Sequence, residues 1–170
     1  MFTLLPEFCI LLSSIHCSSQ FDYIMYDILI DQIKQEVTKH GVQELRTPEE
    51  VDHLLQTQKG TVLIFVNSVC GCAGGLARPA LVSALSHSVQ PDVVATVFAS
   101  TDREATMRAR EYFKGMPPSS PSFALLKDGE LIEMLHRSDI EISSVPEIVK
   151  ELTDMFDAHC TKKEIKIHAN

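Results

Sequence analysis

Positive charge, long apolar runs and paired cysteines are all scarce in this sequence, and each shortage narrows what the chain can be. Lys and Arg number 15 against 23 Asp and Glu, giving a formal net charge of -8 over 170 residues, and the basic side chains are scattered. No basic run or stripe offers an electrostatic footprint for nucleic acid or an anionic membrane. No apolar run reaches the roughly 18–20 residues that span a bilayer. The five cysteines (Cys9, Cys17, Cys70, Cys72 and Cys160) are odd in number and unevenly placed, unlike a secreted disulfide framework. A reducing, cytoplasmic compartment is therefore expected. There is no internal repeat and no low-complexity segment, and Gly74-Gly75 lacks the spacing and the Lys-Ser/Thr of a phosphate loop. Those glycines instead suit a close approach of another chain or of a helix. What remains is an ordinary globular mix, 45% hydrophobic and 22% charged, with length for one domain and a tail.

Residues 1–24 read as an N-terminal extension. The apolar stretch Phe2 to Ile15 superficially resembles a signal peptide, but it has no basic lead-in and Pro6 and Glu7 interrupt it. The expected domain runs over 25–160, with Met25 opening it, and 161–170 form a polar tail. Asp27 reads as the cap of a first helix with Ile28, Leu29, Ile33 and Val37 on its inner face and Gly41 as its stop. Thr47, Pro48 and Glu50 supply a cap, a first-turn proline and a capping-box acid for a second helix that ends at Gly60.

From Thr61 to Asn67 the chain is β-branched and aromatic without alternation, as befits a central strand buried on both faces. Helical spacing returns from Ala73 to about Ser88, with Pro79 inside to remove a backbone bond and kink the helix. Val93 to Ala99 reads as a second buried strand, followed by a helix capped by Thr101 and Glu104. After a proline-rich loop, Phe123 to Lys127 and Leu131 to Leu135 flank Asp128-Gly129, a hairpin turn signal. Ser144 and Glu147 cap a last helix. The order predicts an α/β fold: a mixed sheet of about four strands, with helices covering both faces.

The pair Cys70-Gly71-Cys72 falls where a buried strand gives way to a helix, the end of an open α/β sheet at which ligands and chemistry collect. A thiolate at a helix N-terminus is stabilised by unpaired backbone N–H groups and the helix dipole. Cys70, ahead of the first turn, is the better candidate for that thiolate. Gly71 relaxes the backbone enough for the two sulfurs to meet. In the exchange chemistry this suggests, Cys70 attacks a mixed disulfide and Cys72 resolves the product. Two other readings stay open at this point: small buried apolar residues, or soft-metal ligands in a module that binds a metal or partner without catalysis. No second cysteine pair or tight Cys–His cluster accompanies them. Pro121 opens an apolar strand, where it is either part of a rigid loop or a cis proline that brings backbone beside the cysteines. Asn67 and Ser68 either hydrogen-bond near the thiolate or cap the helix. Arg78 reads as a solvated helix residue before it reads as a source of positive potential at the site, His136 as a surface histidine before a neighbour of the site, and Cys160 as a bystander thiol.

The strand, cysteine motif, kinked helix, loop proline and Lys127-Asp128-Gly129-Glu130 hairpin together resemble the thioredoxin fold over about 27–159. The run Asn67-Ser68-Val69-Cys70-Gly71-Cys72-Ala73-Gly74-Gly75-Leu76-Ala77-Arg78-Pro79 resembles the bacilliredoxin family, whose members carry Cys-Gly-Cys where thioredoxins carry Cys-Gly-Pro-Cys. This resemblance implies a thiol–disulfide oxidoreductase that removes bacillithiol from protein cysteines, with disulfide-isomerase character. Cys70 is then the nucleophile, Cys72 the second redox cysteine and Pro121 the cis proline that aligns client backbone, with Gly71, Asn67 and Ser68 around the substrate. No metal or organic prosthetic group is expected; bacillithiol or another low-molecular-weight thiol is the co-substrate. Client proteins carrying mixed disulfides are the expected partners, with no nucleic acid, no membrane and the oligomeric state left open. Ile64 stands about where thioredoxins carry a buried acid on this strand, so a carboxylate relay from that position is not expected.

Overall fold

The computed structural model describes residues 24–161, so most of the N-terminal extension, with Cys9 and Cys17, and nearly all of the polar tail lie outside the described residues. The chain forms two compact units, residues 1–35 and 36–170, and the sheet lies in the second. Helix α1 covers 24–38, so Asp27 lies within it and not at its cap. Ile28 and Leu29, expected to face inward, are 47% and 52% exposed, whereas Val37 is fully buried. Gly41 adopts a φ of +87° just past the helix end, a conformation that glycine takes without penalty.

The rest follows in chain order. A two-residue strand β1 (Gln43–Glu44) precedes α2 (Pro48–Thr57), whose capping box is formed as the sequence predicts: Glu50 N–H donates to Thr47 Oγ1 at 3.3 Å while the Glu50 carboxylate accepts from Thr47 N–H. Strand β2 (Thr61–Asn67) is buried throughout. A π-helical turn (Ala73–Ala77) leads into α3 (Arg78–Ala84), followed by β3 (Val93–Phe98) and α4 (Arg103–Tyr112). Asp102, not Thr101, occupies the cap of α4, and the Thr101 hydroxyl donates to Asp102 at 3.3 Å. The hairpin β4 (Ser122–Lys127) and β5 (Glu130–Leu135) turns at Asp128 and Gly129, with φ of 52° and 82°, the two positive values a tight primed turn needs. Two helices are the last elements among the described residues, α5 (Arg137–Ile142) and α6 (Val145–His159).

The sheet has five strands in the order β1-β3-β2-β4-β5. β2 and β3 are parallel, as a helical crossover demands, and β4 runs antiparallel to both β2 and β5. Alternate residues of β2 feed two cores. Leu63 and Phe65 pack with α3 and α6, and Phe65 stacks on Phe123 of β4 with ring centroids 4.7 Å apart. Val62, Ile64 and Val66 pack with α2 and α4 on the other face. Two covered faces explain why β2 shows no polar alternation. They also fix its carboxyl end, where the cysteine motif begins.

Candidate active site

β2 ends at Asn67, and the chain turns through Ser68 and the exposed Val69 into a helix running over 71–84. Cys70 caps that helix. Its carbonyl accepts from Gly74 N–H at 3.1 Å, and its sulfur receives Ala73 N–H at 3.4 Å and the Ser68 hydroxyl at 3.1 Å. The sulfur of Cys72 lies 2.7 Å from that of Cys70; both are free thiols and both are partly exposed. The exposed Gly71 links them, so the small ring that a bond between the sulfurs would close has the freedom it needs. The kink expected at Pro79 takes the form of the π-turn, in which Arg78 N–H reaches back to Ala73 carbonyl.

The two thiols are not equivalent. Burial resists ionisation of Cys70, but the hydrogen bonds from Cys72, Ser68 and Ala73 N–H, with the charge of Arg137, outweigh it and bring its pKa below the ordinary thiol value. Burial pushes the Cys72 thiol up, and its contact with Cys70 pushes it further in the same direction. Only one of two adjoining sulfurs can comfortably carry the charge, and the Ser68 hydroxyl, which Cys72 lacks, favours Cys70.

Arg137, absent from the sequence reading, comes from the start of α5. Its backbone N–H donates to Ser119 Oγ at 2.8 Å, its guanidinium reaches Ser120 carbonyl at 3.4 Å, and it pairs with Glu141 at 2.7 Å. The Glu141 carboxyl is held low chiefly by Arg137, with a smaller contribution from the nearby Cys72 thiol. α5 itself had no expectation from sequence; His136 caps it, its N–H donating to Asp139 at 3.0 Å.

Ser120–Pro121 is a cis peptide bond, and the register Val66 to Ser122 puts Pro121 across from Asn67, at the same end of the sheet as the cysteines. Asn67 is a correction: it is fully buried, so no substrate atom reaches it. Its carbonyl oxygen accepts from Ser68 N–H at 2.8 Å and from Arg78 Nη1 at 3.2 Å. Of the two neighbours, Ser68 alone touches the Cys70 sulfur. Arg78 is a second correction, only 5% exposed where a solvated residue was expected. Gly74 stays small because a Cβ there would come within 2.7 Å of Arg78 Nη2. Cys160 lies near Thr61 at the opposite end of β2, away from the cysteine pair, and burial raises its pKa. Among the described residues, no three His, Cys, Asp or Glu side chains gather into a metal-holding group. No helix among them is long and apolar enough to cross a membrane.

A family model described as disulphide isomerase matches residues 25–160. A bacilliredoxin of Geobacillus kaustophilus is 52% identical over 141 residues, covering 83% of this chain and 97% of that protein. The chain belongs to the bacilliredoxin family. A bacilliredoxin of Halalkalibacterium halodurans agrees, at 50% identity over 86% of this chain and 99% of its own length. Two thioredoxin structures share the architecture. That of Fasciola hepatica has a TM-score of 0.50 and 21% identity over 69% of this chain and 99% of its own. That of Malassezia sympodialis has a TM-score of 0.50 and 17% identity over 69% and 90%. At that identity the likeness is one of fold, and it gives the bacilliredoxin domain a thioredoxin-like α/β architecture, with a fifth strand beyond the four expected. As a bacilliredoxin, the chain is a thiol–disulfide oxidoreductase-like protein.

Proposed function

We propose that this bacilliredoxin removes a low-molecular-weight thiol, bacillithiol or a close analogue, from mixed disulfides on client proteins of the cytoplasm. The observation that carries the reading is the pair of sulfurs 2.7 Å apart at a helix N-terminus, one made acidic and the other held protonated. The Cys70 thiolate attacks the small thiol's sulfur in the mixed disulfide; a new S–S bond forms, the old one breaks, and the client leaves as its thiolate. Cys70 no longer carries charge at that moment. The contact that raised Cys72 is thereby relieved, so Cys72 loses its proton to solvent more readily when it is needed, with Arg137 close enough to attract the thiolate. Cys72 then attacks the Cys70 sulfur, closing the Cys70–Cys72 bond and expelling the small thiol. Two electrons have passed from the dithiol to the mixed disulfide, and a reducing thiol of the cell returns the pair to its starting state. Pro121 and Gly71 frame the approach of client backbone, with no metal or organic prosthetic group. Isomerisation uses the same first attack on a client's own disulfide, followed by release through a client thiol.

The test is direct: the purified full chain is given a client protein carrying bacillithiol on one cysteine, and release of the small thiol is followed by mass spectrometry. Release by the wild type and its loss in Cys70→Ser supports the reading. Equal release by Cys70→Ser overturns it.

A further inference from the structure

Behind the cysteine motif sits a charged side chain that the proposed exchange chemistry does not use. Arg78 lies on the first turn of α3 and is almost wholly buried. A guanidinium removed from water is costly unless its donors are matched, and here three acceptors meet it. Nε donates to the Glu36 carboxylate at 2.6 Å, 42 residues away in sequence. Nη1 donates to Asn67 Oδ1 at 3.2 Å and to Ser68 carbonyl at 2.8 Å. The last two acceptors are consecutive residues at the corner where β2 leaves the sheet. Asn67 Oδ1 also takes Ser68 N–H, so the guanidinium and the amide together clamp the peptide of Ser68 from both sides.

Ser68 is the residue whose hydroxyl meets Cys70 Sγ at 3.1 Å. We infer that Arg78 is a positioning residue of the redox site, one that holds the Asn67–Ser68 corner so that the Ser68 hydroxyl stays aimed at the Cys70 sulfur. The inference rests on the redox reading above for its purpose, but the contact chain is independent of it. Glu36 fixes the far edge of the guanidinium. Gly74 supplies the space, because a Cβ there would stand only 2.7 Å from Nη2. A lysine at 78 keeps the charge but has no fork with which to reach Glu36 and the corner together.

The readout is the rate of iodoacetamide capture at Cys70 as a function of pH, in the full chain, measured on the Cys70 peptide by mass spectrometry. A hydroxyl donating to sulfur favours the thiolate, so losing the aim of Ser68 moves the midpoint upward. Arg78→Lys is expected to shift it up by about one pH unit, roughly tenfold less thiolate at a fixed pH below the midpoint. Ser68→Ala gives a similar shift, and Arg78→Lys adds little to it in the Ser68→Ala background, as residues acting through one contact do in a double-mutant cycle. Gly74→Ala retains the guanidinium but crowds it, and it shifts the midpoint in the same direction; this variant covers the case in which Arg78→Lys does not fold.

An unmoved midpoint in Arg78→Lys and Gly74→Ala, with only the melting temperature lowered, overturns the inference. So does an Arg78→Lys shift that is equally large with and without the Ser68 hydroxyl. If the wild type alkylates with the expected profile yet releases no small thiol from the client, the exchange reading fails and the positioning role stands.

Discussion

Cys70 Sγ lies 2.7 Å from Cys72 Sγ, and this one contact acts oppositely on its two ends, easing ionisation of Cys70 and opposing that of Cys72. The Ser68 hydroxyl, which reaches Cys70 and not Cys72, adds to the asymmetry. Cys70 stands at the helix cap and receives Ala73 N–H, while Cys72 lies inside the first turn. In the proposed exchange, attack and resolution are thus divided between the sulfurs before any substrate arrives.

If Cys72 resolves the proposed exchange, its removal should stall the reaction at its midpoint. Cys72→Ser, incubated with a client carrying a mixed disulfide, is expected to accumulate one adduct on Cys70, because no neighbouring sulfur is left to displace it. Intact-mass and peptide mass spectrometry check this. Adducts confined to Cys160 would contradict the assignment.

The pH dependence follows from the direction of the Cys70 shift. Its thiolate is favoured in the folded protein, so half-maximal alkylation should fall below the ordinary free-thiol value of about 8.5. Arg137 contributes attraction, and Glu141 is neutralised by it. Arg137→Gln removes the cation and leaves the carboxylate unpaired, two changes of the same sign. The midpoint must rise, and Arg137→Lys should restore most of the loss. A midpoint that falls in Arg137→Gln would show that the arginine does not act on the sulfur through its charge.

Much of this arrangement was legible from short-range signals. Thr47, Pro48 and Glu50 announce α2, the unbroken apolar run announces β2, and Asp128-Gly129 announces the hairpin, because each depends on neighbours within a few residues. The failures share the opposite property. β1 has two residues, too few for any periodicity, and it exists only because β3 offers an edge. α5 is six residues long and hides behind a histidine cap. Arg78 read as solvated because its partners Glu36 and Asn67 lie on other elements, and a charged residue looks exposed until such partners are brought to it. Arg137 was missed for the same reason: nothing near it in sequence mentions the cysteines. The cysteine motif itself marked the candidate site, while its electrostatic setting came from tertiary structure.

The hairpin turn gives a stability prediction separate from the chemistry. Gly129 has a φ of 82°, and a Cβ there would meet the Leu55 carbonyl oxygen of α2 at 2.8 Å. Alanine brings both backbone strain and a clash with an atom that cannot rotate away, a cost of about 1–3 kcal/mol. Gly129→Ala should lower the melting temperature by several degrees while leaving the Cys70 alkylation midpoint where it is. An unchanged melting temperature would mean that α2 yields to the new methyl group.

The stack beneath the site links the fold to the chemistry. Phe65 and Phe123 are fully buried on adjacent strands, with their rings 4.7 Å apart and 17° from parallel, two residues before β2 ends at Asn67. Truncating a buried phenylalanine to alanine removes its transfer free energy and leaves a cavity, together about 3–5 kcal/mol. Phe65→Ala should thus cost roughly 10 °C in melting temperature, since a domain of this size loses about 2–4 °C per kcal/mol. Phe65→Leu keeps most of the volume and should cost less than half as much. The strand end is held from several sides, by Arg78 on Asn67 and by pairing of β2 with both β3 and β4. Below the melting transition, the Cys70 alkylation profile of Phe65→Leu should therefore overlay the wild type. A profile displaced upward in step with lost stability would show instead that the thiol's acidity depends on core packing in general and not on the contacts made at its own sulfur.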